Sequence, residues 1–299
     1  MIHKTVLLKE AIDGLNLKKG MVFFDGTLGG GGHSEEVCKR FGQEIKIIAT
    51  DRDVAAAART GARIKDLKCD FNPVISNYRD IKNVLAEKNL SRIDAMLLDL
   101  GLSSNQLEES NRGFSFQKDE PLLMTFSENG ENNSVTAEII INEWSEETIA
   151  DIIYGFADER YAKRIARVIV EERKNRKIKT TTDLVNIIAQ AVPAAYRHGK
   201  KHFATKTFQA LRIAVNDELG SLKQGLEDGF ELLNDKGRLA VISFHSLEDR
   251  FVKNFYKDKQ KEGTGKIITK KPLTPSEEEL RENPRSRSAK LRILEKISK

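Results

Sequence analysis

The segment Asp25-Gly26-Thr27-Leu28-Gly29-Gly30-Gly31-Gly32-His33-Ser34 lies between a short apolar run and a helical pattern. Glycines let such a turn adopt positive φ and bring its backbone close to a ligand. The helix behind it offers unpaired N–H groups and a positive dipole end, suited to a carboxylate or phosphate. A dinucleotide turn needs G-x-G-x-x-G, in which the third glycine lets the helix pack tightly. Gly29 and Gly31 fit, but Ser34 holds the third place, which counts against a nicotinamide-dependent dehydrogenase. A P-loop is excluded because no Gly-Lys-Ser or Gly-Lys-Thr follows the glycines.

Two acids and one later segment complete the constellation. Asp51 directly follows the apolar run 45–50, where a carboxylate can accept hydrogen bonds from ribose hydroxyls. Asp99 ends Leu97-Leu98-Asp99-Leu100-Gly101-Leu102-Ser103-Ser104, at the carboxyl edge of a buried strand, where open α/β sheets hold ligands. Ser243-Phe244-His245-Ser246 ends a later strand. If the ligand is a sulfonium methyl donor, the acceptor must be aligned with the breaking bond and needs a proton acceptor. A delocalised exocyclic amine gains nucleophilicity from acceptors on its N–H groups, and Asp99, Ser103, His245 and Ser246 are the candidates. Cys38 and Cys69 lie far apart without CxxC spacing. That pattern indicates neither zinc nor a disulfide framework and predicts two small buried hydrophobes in a reducing compartment. For such a donor, carbon methylation through a thiolate would be disfavoured, leaving nitrogen or oxygen as target. No His, Asp or Glu spacing specifies a metal.

Positioning these residues requires alternating strands and helices. The patterns predict a helix over 5–15, strands over 21–25, 45–51 and 95–100, and helices over 34–41 and 54–64, as in a parallel βαβ sheet. From about Gln106 the strand pattern stops. Ser145 reads as the N-cap of a helix bearing Ile149, Ile152, Ile153 and Phe156; a second helix aligns Ala162, Ile165, Ala166, Ile169 and Val170; a third runs from Thr180-Thr181-Thr182 to before Pro193. Apolar residues from Phe208 to Leu233 mark a long helical stretch with a break at Gly220 or Gly225, and 238–244 resumes the strand pattern. The expectation is one α/β domain, 1–106 with 204–299, interrupted by an all-helical insert at 107–203.

Whole-chain properties bound the function. The 299 residues carry 50 basic and 45 acidic side chains, a net charge of +5. The excess is clustered in Lys163–Lys179 and in Arg281, Arg285, Arg287, Lys290, Arg292, Lys296 and Lys299, and such clusters can neutralise phosphates. No apolar run is long enough to span a bilayer and no export signal is evident, so no membrane partner and a cytoplasmic location are expected.

Taken together, Asp25–Ser34, 93–106, Arg112-Gly113-Phe114-Ser115-Phe116, Thr207-Phe208-Gln209-Ala210-Leu211-Arg212, Ser243-Phe244-His245-Ser246-Leu247-Glu248-Asp249-Arg250 and 283–297 resemble the bacterial small-subunit rRNA cytosine-N4 methyltransferases. The resemblance runs nearly end to end. It implies an α/β, Rossmann-like class I methyltransferase sheet interrupted by a helical insert, with S-adenosyl-L-methionine as cofactor. It places cofactor contacts on Gly31, Gly32, His33, Asp51, Asp99 and Gln106, and matches Tyr78 to the ring that faces the adenine. The implied substrate is a cytidine in the decoding region of 16S rRNA within the small ribosomal subunit, the insert recognises RNA, and a homodimer is compatible with the sequence. One departure stands out: Glu120-Pro121-Leu122-Leu123-Met124-Thr125 lacks the acid and arginine of the family's Gly-Pro-Leu-Asp-Met-Arg-like loop. That change keeps a second reading in play, a non-catalytic RNA-binding assembly factor on the same fold. Phe114 and Phe116 either stack on a flipped base or anchor their loop.

Overall fold

The computed structural model describes residues 5–102, 107, 110–126 and 135–298. Its elements run α1 (Leu8–Leu15), β1 (Val22–Asp25), α2 (Gly32–Phe41), β2 (Lys46–Asp51), α3 (Val54–Lys65), β3 (Asp70–Ile75), α4 (Ile81–Glu87) and β4 (Ile93–Asp99). There follow α5 (Ala137–Glu143), α6 (Glu146–Ala157), α7 (Ala162–Glu172), α8 (Thr181–Ala191), α9 (Ala194–Arg197), α10 (Thr205–Asn216) and α11 (Glu218–Leu232). The chain closes with β5 (Leu233–Ser243), α12 (Ser246–Lys261), β6 (Gly265–Ile267), α13 (Glu277–Glu282) and β7 (Lys290–Lys296).

Among the described residues the strands form one seven-stranded sheet in the order β3-β2-β1-β4-β5-β7-β6. Neighbours from β3 to β5 are parallel, and β7 runs antiparallel to both β5 and β6. Successive side chains of a strand face opposite ways, and the apolar runs therefore fill two cores. Phe23, Ile47, Leu97 and Ile242 meet Leu7, Val37 and Ile64 on one face. Phe24, Ile48, Met96, Leu98 and Val241 meet Ile81, Leu226 and Val252 on the other. Parallel pairing aligns the carboxyl ends of β1, β2 and β4, so Asp25, Asp51 and Asp99 arrive at one edge.

The chain divides into two compact units, 1–103 with 219–299, and 104–218. The second unit extends past the boundary expected at 203, because α10 packs against α6 and so belongs with the insert. Its helices are capped as their sequences dictate. Ser145 accepts from the Thr148 amide, and Thr180 forms a reciprocal capping box with Asp183. The 120–125 loop contributes to this unit's core, since Leu122 and Met124 are fully buried and the Met124 amide donates to Arg112 O at 2.7 Å. The two loop phenylalanines have ring partners within the unit: Phe114 stacks on Phe126 at 5.6 Å and Phe116 on His202 at 4.4 Å. These contacts anchor the loop.

The cysteines correct the expectation of two separate thiols. Cys38 and Cys69 are bonded in a disulfide with their Cα atoms 5.5 Å apart. Cys38 lies late in α2 and Cys69 just before β3, both toward the amino edge of the sheet. A parallel fold brings together residues separated by 31 positions, which spacing alone does not reveal. Among the described residues no helix is long and apolar enough to cross a membrane.

Candidate active site

Each functional side chain at the carboxyl edge of the first unit is fixed by the turn or cap that follows its strand. Asp25 is almost fully buried; its carboxylate accepts from the Ser34 hydroxyl at 2.6 Å and from the Thr27 amide at 3.2 Å. One carboxylate thus ties both ends of the glycine turn. Asp51 accepts from the Gly29 amide at 2.6 Å and the Asp53 amide at 2.9 Å. Thr27 joins the turn to the neighbouring strand, its hydroxyl accepting from the Asp99 amide at 2.6 Å.

Gly31 precedes α2 with φ of 72°, and the Thr60 side chain stands where a Cβ would project. No other residue type meets both conditions without strain. Gly32 opens α2, and His33 is buried beside it with Nδ1 3.9 Å from Asp99 Oδ2. Tyr78 packs its ring against Gly225 of α11 and its Cβ near Gly26, beside the glycine turn.

Burial governs the electrostatics. Desolvation pushes Asp99 up to about 7, helped by the charges of Asp25 and Glu248 and opposed by the Gly101 amide. Desolvation likewise raises Asp25 to about 6 against its hydrogen bonds from Ser34 and Thr27. Asp51 is raised for the same first reason, with the Asp53 and Gly29 amides pulling it down. Asp99 Oδ1 is buried and has no hydrogen-bond partner among the described residues. Closely spaced carboxylates held above their ordinary range favour a cationic guest, whose charge would offset what desolvation costs them.

Phe244 follows β5, and its ring approaches Gly101, just after β4, where no side chain projects, which seats the Phe244–Ser246 segment beside the end of β4. His245 caps α12: its Nδ1 accepts from the Glu248 amide, while Glu248 Oε2 accepts from the Phe244 and His245 amides at 2.9 and 3.3 Å. His245 Nε2 lies 3.0 Å from Glu248 Oε1. Ser246 is exposed at the first position of α12, and the neighbouring Ser243 hydroxyl turns away to donate to Lys290 O. The structure thus brings Gly31, Gly32, His33, Asp51, Tyr78, Asp99, His245 and Ser246 into one unit. Ser103 and Gln106 lie outside the described residues.

Sequence reasoning gave no role to Asp25 or Glu248. Asp25 carried a signal in ending an apolar strand directly before glycines, much as Asp99 ends the apolar run 95–98. Glu248 sits three positions after His245, the capping-box spacing.

S-adenosylmethionine carries a sulfonium, an ammonium and ribose hydroxyls. Cationic groups suit Asp25 and Asp99, whose carboxyls burial raises with no lysine or arginine charge among the influences that lower them, and Asp51 closes the glycine turn from the next strand. A sheet of this order with β7 reversed, and a glycine turn ringed by strand-terminal acids, define a class I S-adenosylmethionine-dependent methyltransferase. Residues 1–297 match the MraW methylase family, and the chain belongs to it.

Relatives named ribosomal RNA small subunit methyltransferase H include one from Brevibacillus brevis, 44% identical over 310 residues, spanning 99% of this chain and 98% of that protein. Another, from Acetivibrio thermocellus, is 45% identical over 312 residues and spans 99% of both. Among solved structures, an rRNA methylase from Streptococcus thermophilus is 12% identical with a TM-score of 0.46 over 100% of this chain and 99% of that one. A methyltransferase from Streptococcus mutans in complex with SAH is 13% identical with a TM-score of 0.45, over 99% and 100%.

Proposed function

We propose that the chain methylates N4 of a cytidine in the decoding region of 16S rRNA, acting on the small ribosomal subunit in the cytoplasm. One observation carries the choice of atom: a buried carboxylate with an unpartnered oxygen, Asp99, stands at the edge of the sheet, while both sulfurs are bonded to each other near the opposite edge. Carbon methylation of a pyrimidine needs a thiolate to add to the ring. An exocyclic amine needs alignment and an acceptor for its proton. The amine nitrogen would take the methyl group from the sulfonium and Asp99 would take the proton, with His245 and the exposed Ser246 hydroxyl orienting the base. His33, beside Asp99, would help to hold the donor, Gly31 and Gly32 would admit it, and Tyr78 would face its adenine.

The choice of RNA rests on the names of the relatives, ribosomal RNA small subunit methyltransferases, and on cations of the insert. Lys163, Arg164, Lys174 and Lys179 have no ion pair among the described residues, whereas Arg176 and Lys177 are paired with Asp183 and Glu138. We assign RNA recognition to this unit on that basis.

The test uses small subunits from a strain lacking the gene. Purified protein and labelled S-adenosylmethionine should yield N4-methylcytidine on nucleoside mass spectrometry, and Asp99→Asn should not. Methyl label on C5 or on the ribose would overturn the assignment.

A further inference from the structure

A basic cavity lies apart from the glycine turn, within the first unit. It has a volume of about 250 Å3 and opens between α12, the segment after β6, and β7. Lys253 and Lys257 enter it from α12, four residues apart and so on one helix face. Lys270 and Lys271 enter from the segment after β6, and Arg292 from β7. None of the four lysines has an ion-pair or hydrogen-bond partner among the described residues. Arg292 differs, because its Nε donates to Asp249 at 2.7 Å.

The remaining polar lining also points to an anion. Thr269 accepts from the Ile293 amide at 2.9 Å, which leaves its own hydroxyl proton to donate. Tyr256 has spent its proton on Leu239 O at 2.9 Å. The cavity therefore offers four ammonium groups and a hydroxyl, all donors, and a lining of one sign of charge favours an anion. Several acceptor oxygens on one centre describe a phosphate. The planar fork of an arginine matches a carboxylate better than lysines do, and the arginine present has its Nε on Asp249. Pockets that enclose a whole small molecule run from about 300 Å3 upward, so this one suits a group on a longer ligand.

We propose that the cavity binds a backbone phosphate of the RNA substrate and holds that substrate outside the catalytic edge. The proposal rests on the RNA reading above and adds a second point of attachment to it. The cations that the sequence singled out in the tail are largely engaged internally: Lys290 and Arg292 pair with Asp249, and Lys296 donates to the carbonyls of Glu231 and Leu233. The grip falls instead to lysines that form no conspicuous run.

The experiment compares the full chain with a variant carrying Lys253→Gln, Lys257→Gln, Lys270→Gln and Lys271→Gln, and with the milder pair Lys270→Gln and Lys271→Gln. Titration with S-adenosylmethionine should give wild-type affinity in each, showing an intact fold and cleft. Methylation of small subunits should then show KM raised on the order of tenfold with kcat at saturation unchanged, the milder pair falling between. In direct binding to a 16S rRNA fragment, the slope of log affinity against log salt should become shallower by about 0.7 for each phosphate no longer gripped. Unchanged KM and salt slope in both variants would overturn the proposal. So would a wild-type KM in the fourfold variant alongside protection of the wild type, and not the variant, by inorganic phosphate, since the cavity would then serve a free anion. If no RNA is methylated while the variants still lose salt-dependent binding, the activity reading fails and the phosphate site stands.

Discussion

Asp99 joins an electrostatic property to a chemical one. Its carboxyl is raised to about 7 and that of Asp25 to about 6, both from an ordinary value of 3.8. A folded chain that binds these protons more tightly than the unfolded chain loses stability as pH rises from the ordinary value through the raised ones. A cationic donor acts oppositely, since it favours the ionised acids. Its affinity should therefore climb between about pH 5.5 and 7.5, with protons released on binding, and calorimetry in buffers of different ionisation enthalpy reads that release directly. Asp99→Asn should remove the part of the climb nearest pH 7 and lower kcat on the order of 10²- to 10⁴-fold. A pH-independent affinity in the wild type would show that the acids do not sense the donor's charge.

Glycines at different places in the elements have opposite effects. Gly31→Ala must accommodate φ of 72° and the Thr60 side chain, and should cost about 1–3 kcal/mol in chemical denaturation. Gly61, inside α3 with open space at its missing Cβ, should become more stable by about 0.5–1 kcal/mol on replacement by alanine. Similar reasoning explains what was legible beforehand. Strands such as Val22–Asp25 and Lys46–Asp51, and the caps Ser145 and Thr180, lie within a residue or two of expectation, because period and cap chemistry are local.

The long helix breaks at Asp217, with φ of 47°, and continues through Gly220 and Gly225. Gly225 is retained in the helix by the Tyr78 ring packed on it, a tertiary demand that no local pattern carries. β3 contains Asn72 and Pro73, residues that argue against a strand, and it survives because it forms the edge of the sheet. β7 is hard to see in sequence because Lys290-Leu291-Arg292-Ile293-Leu294-Glu295-Lys296 reads first as charge, although its alternation buries Leu291 and Ile293. In the site, the glycine turn and the strand-end acids were legible as sequence. The carboxylate that binds the turn together, Asp25, acts through a bond to Ser34 that only the fold displays.

Across the whole molecule, the Cys38–Cys69 bond closes a loop of 31 residues within the first unit. Constraint of the unfolded chain by such a loop is worth about 3–4 kcal/mol. Reduction, or Cys38→Ala with Cys69→Ala, should lower the stability of that unit by roughly this amount and leave donor binding at the distant edge intact. Equal denaturation midpoints with and without reductant would remove the bond from any structural role. The order of the strands has a further consequence for the chain as it is made. β4 and β5 are neighbours in the sheet, yet the whole second unit is encoded between Asp99 and Leu233. At about 5–20 residues per second, the ribosome takes roughly 7–27 s to supply the partner strand. Throughout that wait the nascent half-sheet carries Ala95, Met96, Leu97 and Leu98 on an uncapped margin, so the enzyme's own biosynthesis passes through a sticky interval that a holdase chaperone would have to cover.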